Sequence, residues 1–402
     1  MSISDTNLDA LLNRVENLVT EREILVDSVT EQEVTNYTLE LEKEEKEHPL
    51  YQKLKENKNL RTLTNFGVGT IDHISAYSEP YFLDSNRRGP KPKISNKDSL
   101  VLLLIYYKCN MTFEALAALL NFKLSTLKKA IDRMRPVLLF ALQDMWREKN
   151  RPKEYPNTAY SHAALLVDCT SVEIYKPTGT FREVRKYWDT KNGIYSLKKQ
   201  VLVSAQVPHI AMFISKFYVG STHDFKIFKE TYKNLEPYLL KSPIEKESLV
   251  GDEISTHWSV VGDKAYYADQ SITAPIRRIA VKKGKRLSTR EKQENSVISN
   301  IRCPVEQFFG RLKKLWYICD KYRHSSELFD IDFDNCVLLT NIHISSNNLT
   351  NGDGEYYRRL LVARKKEKDE ILEKRKRQKK EYLQRKKQAL EIDLLHQEFH
   401  YD

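Results

Sequence analysis

An α/β fold is predicted for this chain: strands alternating with helices, with a helical segment before them and a long basic helix after them. Three observations carry that reading. Residues 160–345 alternate between β-rich and helical stretches. Residues 97–145 read as helical, with a break in their middle. Residues 355–396 are rich in Lys, Arg, Glu and Gln and hold neither Gly nor Pro.

Bulk properties bound the function. The chain has 402 residues, room for two or three domains, and 41% hydrophobic residues, enough for a real core. Charged residues make up 30%, above the usual quarter. A net charge of +11 points to an acidic partner, nucleic acid first and anionic membrane second. A merely soluble basic protein would share that charge. Cys109, Cys169, Cys303, Cys319 and Cys336 are scattered and form no CxxC pair, which argues against a disulfide framework and a zinc site. The polar, acidic start does not read as a signal peptide. No apolar run approaches the ~18 residues of a membrane span, and the longest, Leu100 to Ile105, reads as a buried helix.

Residues 1–50 are acidic. Leu8, Leu11, Val15, Leu18 and Leu25 fall at roughly heptad spacing, so an amphipathic helix is expected, either dimerising or packing on its own chain. Residues 51–96 follow as a connecting region. Its end, 86–94, carries one Gly and two Pro among charges and reads as linker. Within 97–150, Thr112 is placed to cap a short helix ending near Leu120, and Ser125 to cap a second over Thr126 to Met134. Ala117 and Ala118 allow the two to cross closely. This is the pattern of a helix-turn-helix, whose second helix would present Lys128, Lys129, Arg133 and Arg135 to DNA. An ordinary helical hairpin fits the same pattern.

The region 160–345 holds the chemistry. Ala163 to Asp168 reads as a buried strand with a carboxylate at its exit. Tyr195–Gln206 and Ile210–Val219 read as further strands, the latter followed by Gly220-Ser-Thr-His-Asp224, with Asp224 opening a helix. Trp258 to Val261 is a short strand leading to Asp263. The stretch from Ser299 to Trp316 reads as a helix with Pro304 in its first turn and Glu306 near its N-terminal end. A single such Asp is usually a cap or turn residue. As a set, strand-end Asp residues and a helical Glu can meet at one point, as two Mg²⁺ ions acting on a phosphodiester require.

The motifs Val167-Asp-Cys-Thr170, Gly220-Ser-Thr-His-Asp224, Gly262-Asp-Lys-Ala-Tyr266 and Arg302-Cys-Pro-Val-Glu306 resemble DDE-superfamily endonucleases of Harbinger type and related insertion-sequence transposases. The resemblance covers about 97–320. Arg302-x3-Glu306-x6-Lys313 matches the signature around that family's Glu, although Ser299 stands where a Tyr is common. The resemblance implies an RNase H-like core over 160–345. It implies Asp168, Asp263 and Glu306 as the catalytic triad, and Asp224 as a further ligand of Mg²⁺ or Mn²⁺, two ions in all. It also implies double-stranded DNA, at transposon ends and target, as the partner. The spacing from Asp263 to Glu306 is longer than usual, and the extra length falls in the basic stretch 282–292, expected to touch DNA.

Arg302 and Lys313 are candidate phosphate binders beside Glu306, with charge balance as the plainer role. Arg182, Arg185, Lys186, Lys191 and Lys198 surround Tyr187 and Trp188, which suits either a nucleic-acid surface or a solvated hairpin. His223 reads as orienting or packing rather than catalytic, and Trp258 as core rather than a stacking platform for a flipped base. The tail around Lys374-Arg-Lys-Arg-Gln-Lys-Lys suits nuclear import or non-specific DNA binding, and Leu383, Leu390 and Leu394 leave a weak apolar stripe. A transposase is therefore expected, as a homodimer or higher oligomer, with a helper DNA-binding protein left open and no membrane partner. Its compartment would be the nucleus in a eukaryote, or cytoplasm and nucleoid in a bacterium. The alternatives are a domesticated, non-catalytic DNA-binding regulator and a nuclease that cuts without joining.

Overall fold

The computed structural model describes residues 48–82, 92–147, 163–241, 257–263, 266 and 289–398. The acidic helix expected over 1–50 lies outside them except for its last three residues, as do most of the 86–94 linker and residues 282–288 of the basic stretch.

Three short helices, α1 (Pro49–Glu56), α2 (Leu60–Thr64) and α3 (Val68–Ser78), lead into α4 (Asn96–Cys109). Ser95 caps α4 by accepting the Asp98 N–H. Every residue from Leu100 to Tyr107 is buried, so this helix is apolar on all sides and fills the centre of the helical layer. Helix α5 (Phe113–Leu120) is capped by Thr112, and Asn121 ends it in the left-handed region at φ 56°. Helix α6 runs over Leu124–Arg147, starting earlier and ending much later than the expected Thr126 to Met134. Its buried row, Leu127, Ile131, Met134, Leu138 and Leu142, keeps one face in the core past Pro136, so packing carries the helix through the missing donor.

The sheet centres on β1 (Ala163–Ile174). It pairs antiparallel with β3 (Ile194–Ser204) from Leu165↔Ser204 to Glu173↔Ser196. On its other side it pairs parallel with β6 (Ser259–Val261) and β7 (Lys321–Tyr322). Asp168 therefore lies mid-strand rather than at the exit. The polar residues after it stay in the ladder because Ser171 donates to the buried Asp189 carboxylate at 2.7 Å. Asp189 ends the short β2 (Trp188–Asp189), which follows α7 (Phe181–Lys186) and pairs with the start of β3. The single strand expected over Ile210–Val219 is instead β4 (Ala211–Ile214) and β5 (Tyr218–Val219), both on β3. The break between them is held by Ser215 N–H bonding Gln200 O and Phe217 N–H bonding the Asp330 carboxylate.

Helices cover both faces. α8 (Asp224–Leu239) packs its Phe228 and Leu235 with Leu165, Val167, Leu202 and Trp258. The opposite face meets α9 (Thr289–Leu315) and α10 (Phe329–Ser346), which share one core with the helical layer. α9 begins well before Pro304, so Glu306 sits deep inside a 27-residue helix rather than near its N-terminus. α11 (Asn351–Glu398) includes Gly352 and Gly354, starting earlier than the Gly-free stretch suggested.

Two contacts lock these layers. Asp332 of α10, fully buried, accepts from Tyr107 Oη (2.9 Å), Tyr322 Oη (3.0 Å) and Arg135 Nε (2.7 Å), joining α4, β7 and α6. Gly310 of α9 lies so close to α11 that a Cβ there would fall 2.0 Å from the Asp353 carbonyl oxygen.

Asp332→Ala would leave the Arg135 guanidinium buried without its main counter-charge. A loss of about 3–5 kcal/mol in denaturant unfolding is expected, and a loss below about 1 kcal/mol would contradict the hub role. Gly310→Ala must push α11 off α9. A loss of about 1–3 kcal/mol is expected, read by the same unfolding curves.

Candidate active site

One cavity of about 210 Å³ collects Asp168, Asp224, Asp263 and Glu306 on its walls, each from a different element. Sheet register explains the first pair. Leu166 of β1 stands opposite Val261 of β6 in parallel pairing, so Asp263, two residues on, falls beside Asp168. Gly262 is needed between them, because a Cβ there would lie 2.8 Å from the Tyr266 ring and 3.0 Å from Val167. Asp224 is the first residue of α8, capped by His223, whose Nδ1 accepts the Phe225 N–H at 3.3 Å. His223 is thus an orienting residue. Glu306 enters from α9, half-buried.

Cations balance the carboxylates. Arg302 Nη2 donates to Asp168 Oδ2 at 3.2 Å, and Lys198 Nζ donates to Asp224 Oδ1 at 3.1 Å and Thr222 O at 3.0 Å. Burial pushes the Asp168 carboxyl up to about 6, against the pull of Arg302 and the Cys169 N–H. Arg302 is itself buried, and its Nε has no hydrogen-bond partner among the described residues. Lys191, exposed, stands on the rim in a turn organised by Asp189, whose Oδ1 accepts the N–H groups of Lys191 and Asn192.

The donor set suits a hard divalent cation. Mg²⁺ takes one or two carboxylates and completes its shell with waters and phosphate oxygens. Among the described residues no group of three or more His, Cys, Asp or Glu side chains is disposed to hold a metal ion by itself, and Asp168 and Asp224 are paired with Arg302 and Lys198.

Other sequence candidates are placed differently. Lys313 is not on the cavity: it is fully buried and donates to Ser171 O at 2.9 Å, with Asp320 at 3.6 Å. Two helical turns beyond Glu306, it runs beneath β1, so phosphate cannot reach it. Burial and the neighbouring Arg364 push its ammonium down to about 8. Arg133 also turns inward, donating to Ile94 O and Ser99 Oγ, both at 3.1 Å, while Arg135 is committed to Asp332. Lys128 and Lys129 are exposed on α6, as are Arg182, Arg185 and Lys186 on α7. Ala117 is buried at the α5–α6 crossing and Ala118 is exposed. Trp258 is a core residue, 2% exposed, with Lys241 over its ring at 4.9 Å.

Sequence reasoning missed one wall of the cavity. Tyr357, Arg358, Leu361 and Arg364 come from the first turns of α11, the helix read as a tail. Their i, i+4, i+7 spacing from Tyr357 was the available signal.

Residues 167–341 match the family model described as DDE superfamily endonuclease, a span that includes all four acidic residues. The chain is 21% identical over 247 residues to a protein of Microchaete diplosiphon named probable transposase for insertion sequence element IS702. That alignment covers 60% of this chain and 79% of the relative. No solved structure matches. The matches bear out the resemblance seen in the four motifs. Among the described residues no helix is long and apolar enough to cross a membrane.

Lys313→Met tests the buried ammonium. Its folded value lies below the ordinary Lys value of about 10.5, so the unfolded chain binds more protons and wild-type stability rises between about pH 8 and 10.5. Urea unfolding at pH 7.5 and 9.5 should show wild type gaining on the order of 1 kcal/mol relative to Lys313→Met. Parallel pH profiles would contradict it.

Proposed function

We propose that the chain is a DNA transposase, a divalent-metal-dependent endonuclease that cuts at transposon ends and joins the freed 3′-hydroxyl to target DNA. The observation that carries this reading is the convergence of Asp168, Asp224, Asp263 and Glu306 on one cavity, with an incompletely bonded Arg302 among them. The family match over the same residues and the transposase relative support it.

In this reading the four carboxylates would hold Mg²⁺ or Mn²⁺, which would supply charge stabilisation for an in-line displacement at phosphorus. Arg302, on the cavity wall beside Asp168, would supply positive charge to a non-bridging phosphate oxygen in a desolvated setting. Lys191 and the exposed Lys128 and Lys129 meet backbone phosphates farther out. Hydrolysis forms one P–O bond from water and breaks the P–O3′ bond, leaving a 3′-hydroxyl and a 5′-phosphate. In the joining step that 3′-oxygen forms a new phosphodiester as the target's own P–O3′ bond breaks. One bond replaces another, so no external energy source is required. Each attacking oxygen loses a proton and each departing oxygen gains one; because the attacking oxygen belongs to water or DNA, no covalent protein–DNA link arises.

Asp263→Asn preserves shape and removes charge. Purified wild type should nick plasmid DNA with Mn²⁺, and Asp263→Asn should be slower by about 100-fold or more. Equal nicking by the two proteins would overturn the assignment. Pre-cut transposon ends supplied with target plasmid then test joining separately.

A further inference from the structure

Helix α11 is built into the core before it leaves it. Arg311 donates to both Asp353 carboxylate oxygens, at 2.9 and 2.7 Å. The Tyr357 ring packs on Phe309 with centroids 5.8 Å apart. Arg364 donates to Asp320 Oδ1 at 2.6 Å, and Lys368 Nζ donates to Thr190 O at 2.6 Å. Gly193 lies directly under the Lys368 stem, where a Cβ would fall 2.4 Å from Cγ. These ties hold residues 353–368 rigidly along one wall of the acidic cavity.

Three guanidiniums line that cavity, and they differ. Arg302 is paired with Asp168, and Arg364 with Asp320. Arg358 is exposed, donates Nε only to the Gly354 carbonyl of its own helix at 3.3 Å, and is in no ion pair among the described residues. An exposed cation on the wall of a carboxylate-lined cavity suits a ligand that brings its own negative charge past those carboxylates. Beyond Lys368 the helical face of Lys368, roughly 80° around the helix from Arg358 at 3.6 residues per turn, carries Arg375, Lys379 and Lys386, all exposed.

We propose that α11 is a DNA-gripping strut: Arg358 binds a backbone phosphate next to the one being cut, and Arg375, Lys379 and Lys386 bind phosphates of the flanking duplex. The inference rests on the transposase reading and adds to it a phosphate-binding wall. At 1.5 Å per residue, Arg375 and Lys386 lie about 25 and 42 Å along the helix from Arg358. The grip therefore extends over roughly a turn of duplex.

The test is binding of a random-sequence 30-base-pair duplex in EDTA, by fluorescence anisotropy across a salt series. Each lost phosphate contact lowers the slope of log K against log salt by about 0.9. Arg358→Gln should lower it by about one such step, Arg358→Lys should restore it, and the triple variant R375Q/K379Q/K386Q should lower it by up to about three. All of these side chains are exposed, so circular dichroism should be unchanged. With Mn²⁺ present, Arg358→Gln should raise KM for nicking more than it lowers kcat. A wild-type slope in either glutamine variant overturns the proposal. So does a triple variant that keeps the slope but loses self-association, which would make the face a contact between copies. Wild type without salt-dependent duplex binding would sink the transposase reading itself, a different failure.

Discussion

Carboxylates crowded into a half-buried cavity repel one another and pay for lost hydration, and the rest of this fold is arranged around that cost. Asp168 sits at the middle of the central strand, where burial alone would keep it protonated at acid pH. Arg302 and Lys198 supply opposite charge to Asp168 and Asp224 from a helix and a neighbouring strand. Such pairs are weak sources of stability but strong constraints, because removing one partner strands the other.

Holding four carboxylates from four elements in one place demands that those elements not slide. β1 is pinned by β3 on one side and by β6 and β7 on the other, and from beneath by Lys313 bonded to Ser171 O. α10 is pinned through Asp332 to the helical layer, so α4 and α6 act as a buttress for the sheet. The Asp332 and Lys313 side chains are buried, and buried hydrogen bonds of this kind specify one packing arrangement more sharply than apolar contact does. Precision at the cavity thus depends on residues that never touch it.

Much of this was legible in the sequence, and the misses share a cause. Asp168, Asp224, Asp263 and Glu306 could be named in order because short motifs surround them. Their convergence was expected from the motifs as a set, but its geometry rests on the parallel register of β1 and β6, a long-range pairing that no local pattern encodes. Strand and helix ends were misjudged at Asp168 and Pro304 because polar residues and proline were treated as local stop signals. In both cases tertiary pairing overrode the local preference. Lys313 and Arg133 are candidate phosphate and DNA contacts in the sequence, yet both turn inward. Each is long enough to reach a backbone carbonyl inside the fold, and burial was decided by the element beneath it.

The same error, reversed, hid α11. Its composition is that of a solvated tail, and past Lys368 the side chains described are exposed. Its first turns nevertheless carry Asp353, Tyr357, Leu361 and Arg364 toward the core, a stripe too short to stand out beside so many charges. A helix polar on every side gains little from propensity alone and needs an anchored end to stay formed. Here the anchored end is the cavity wall. Rigidity at the site and reach into solvent are therefore properties of one continuous helix, and its direction is set by the contacts that close the cavity.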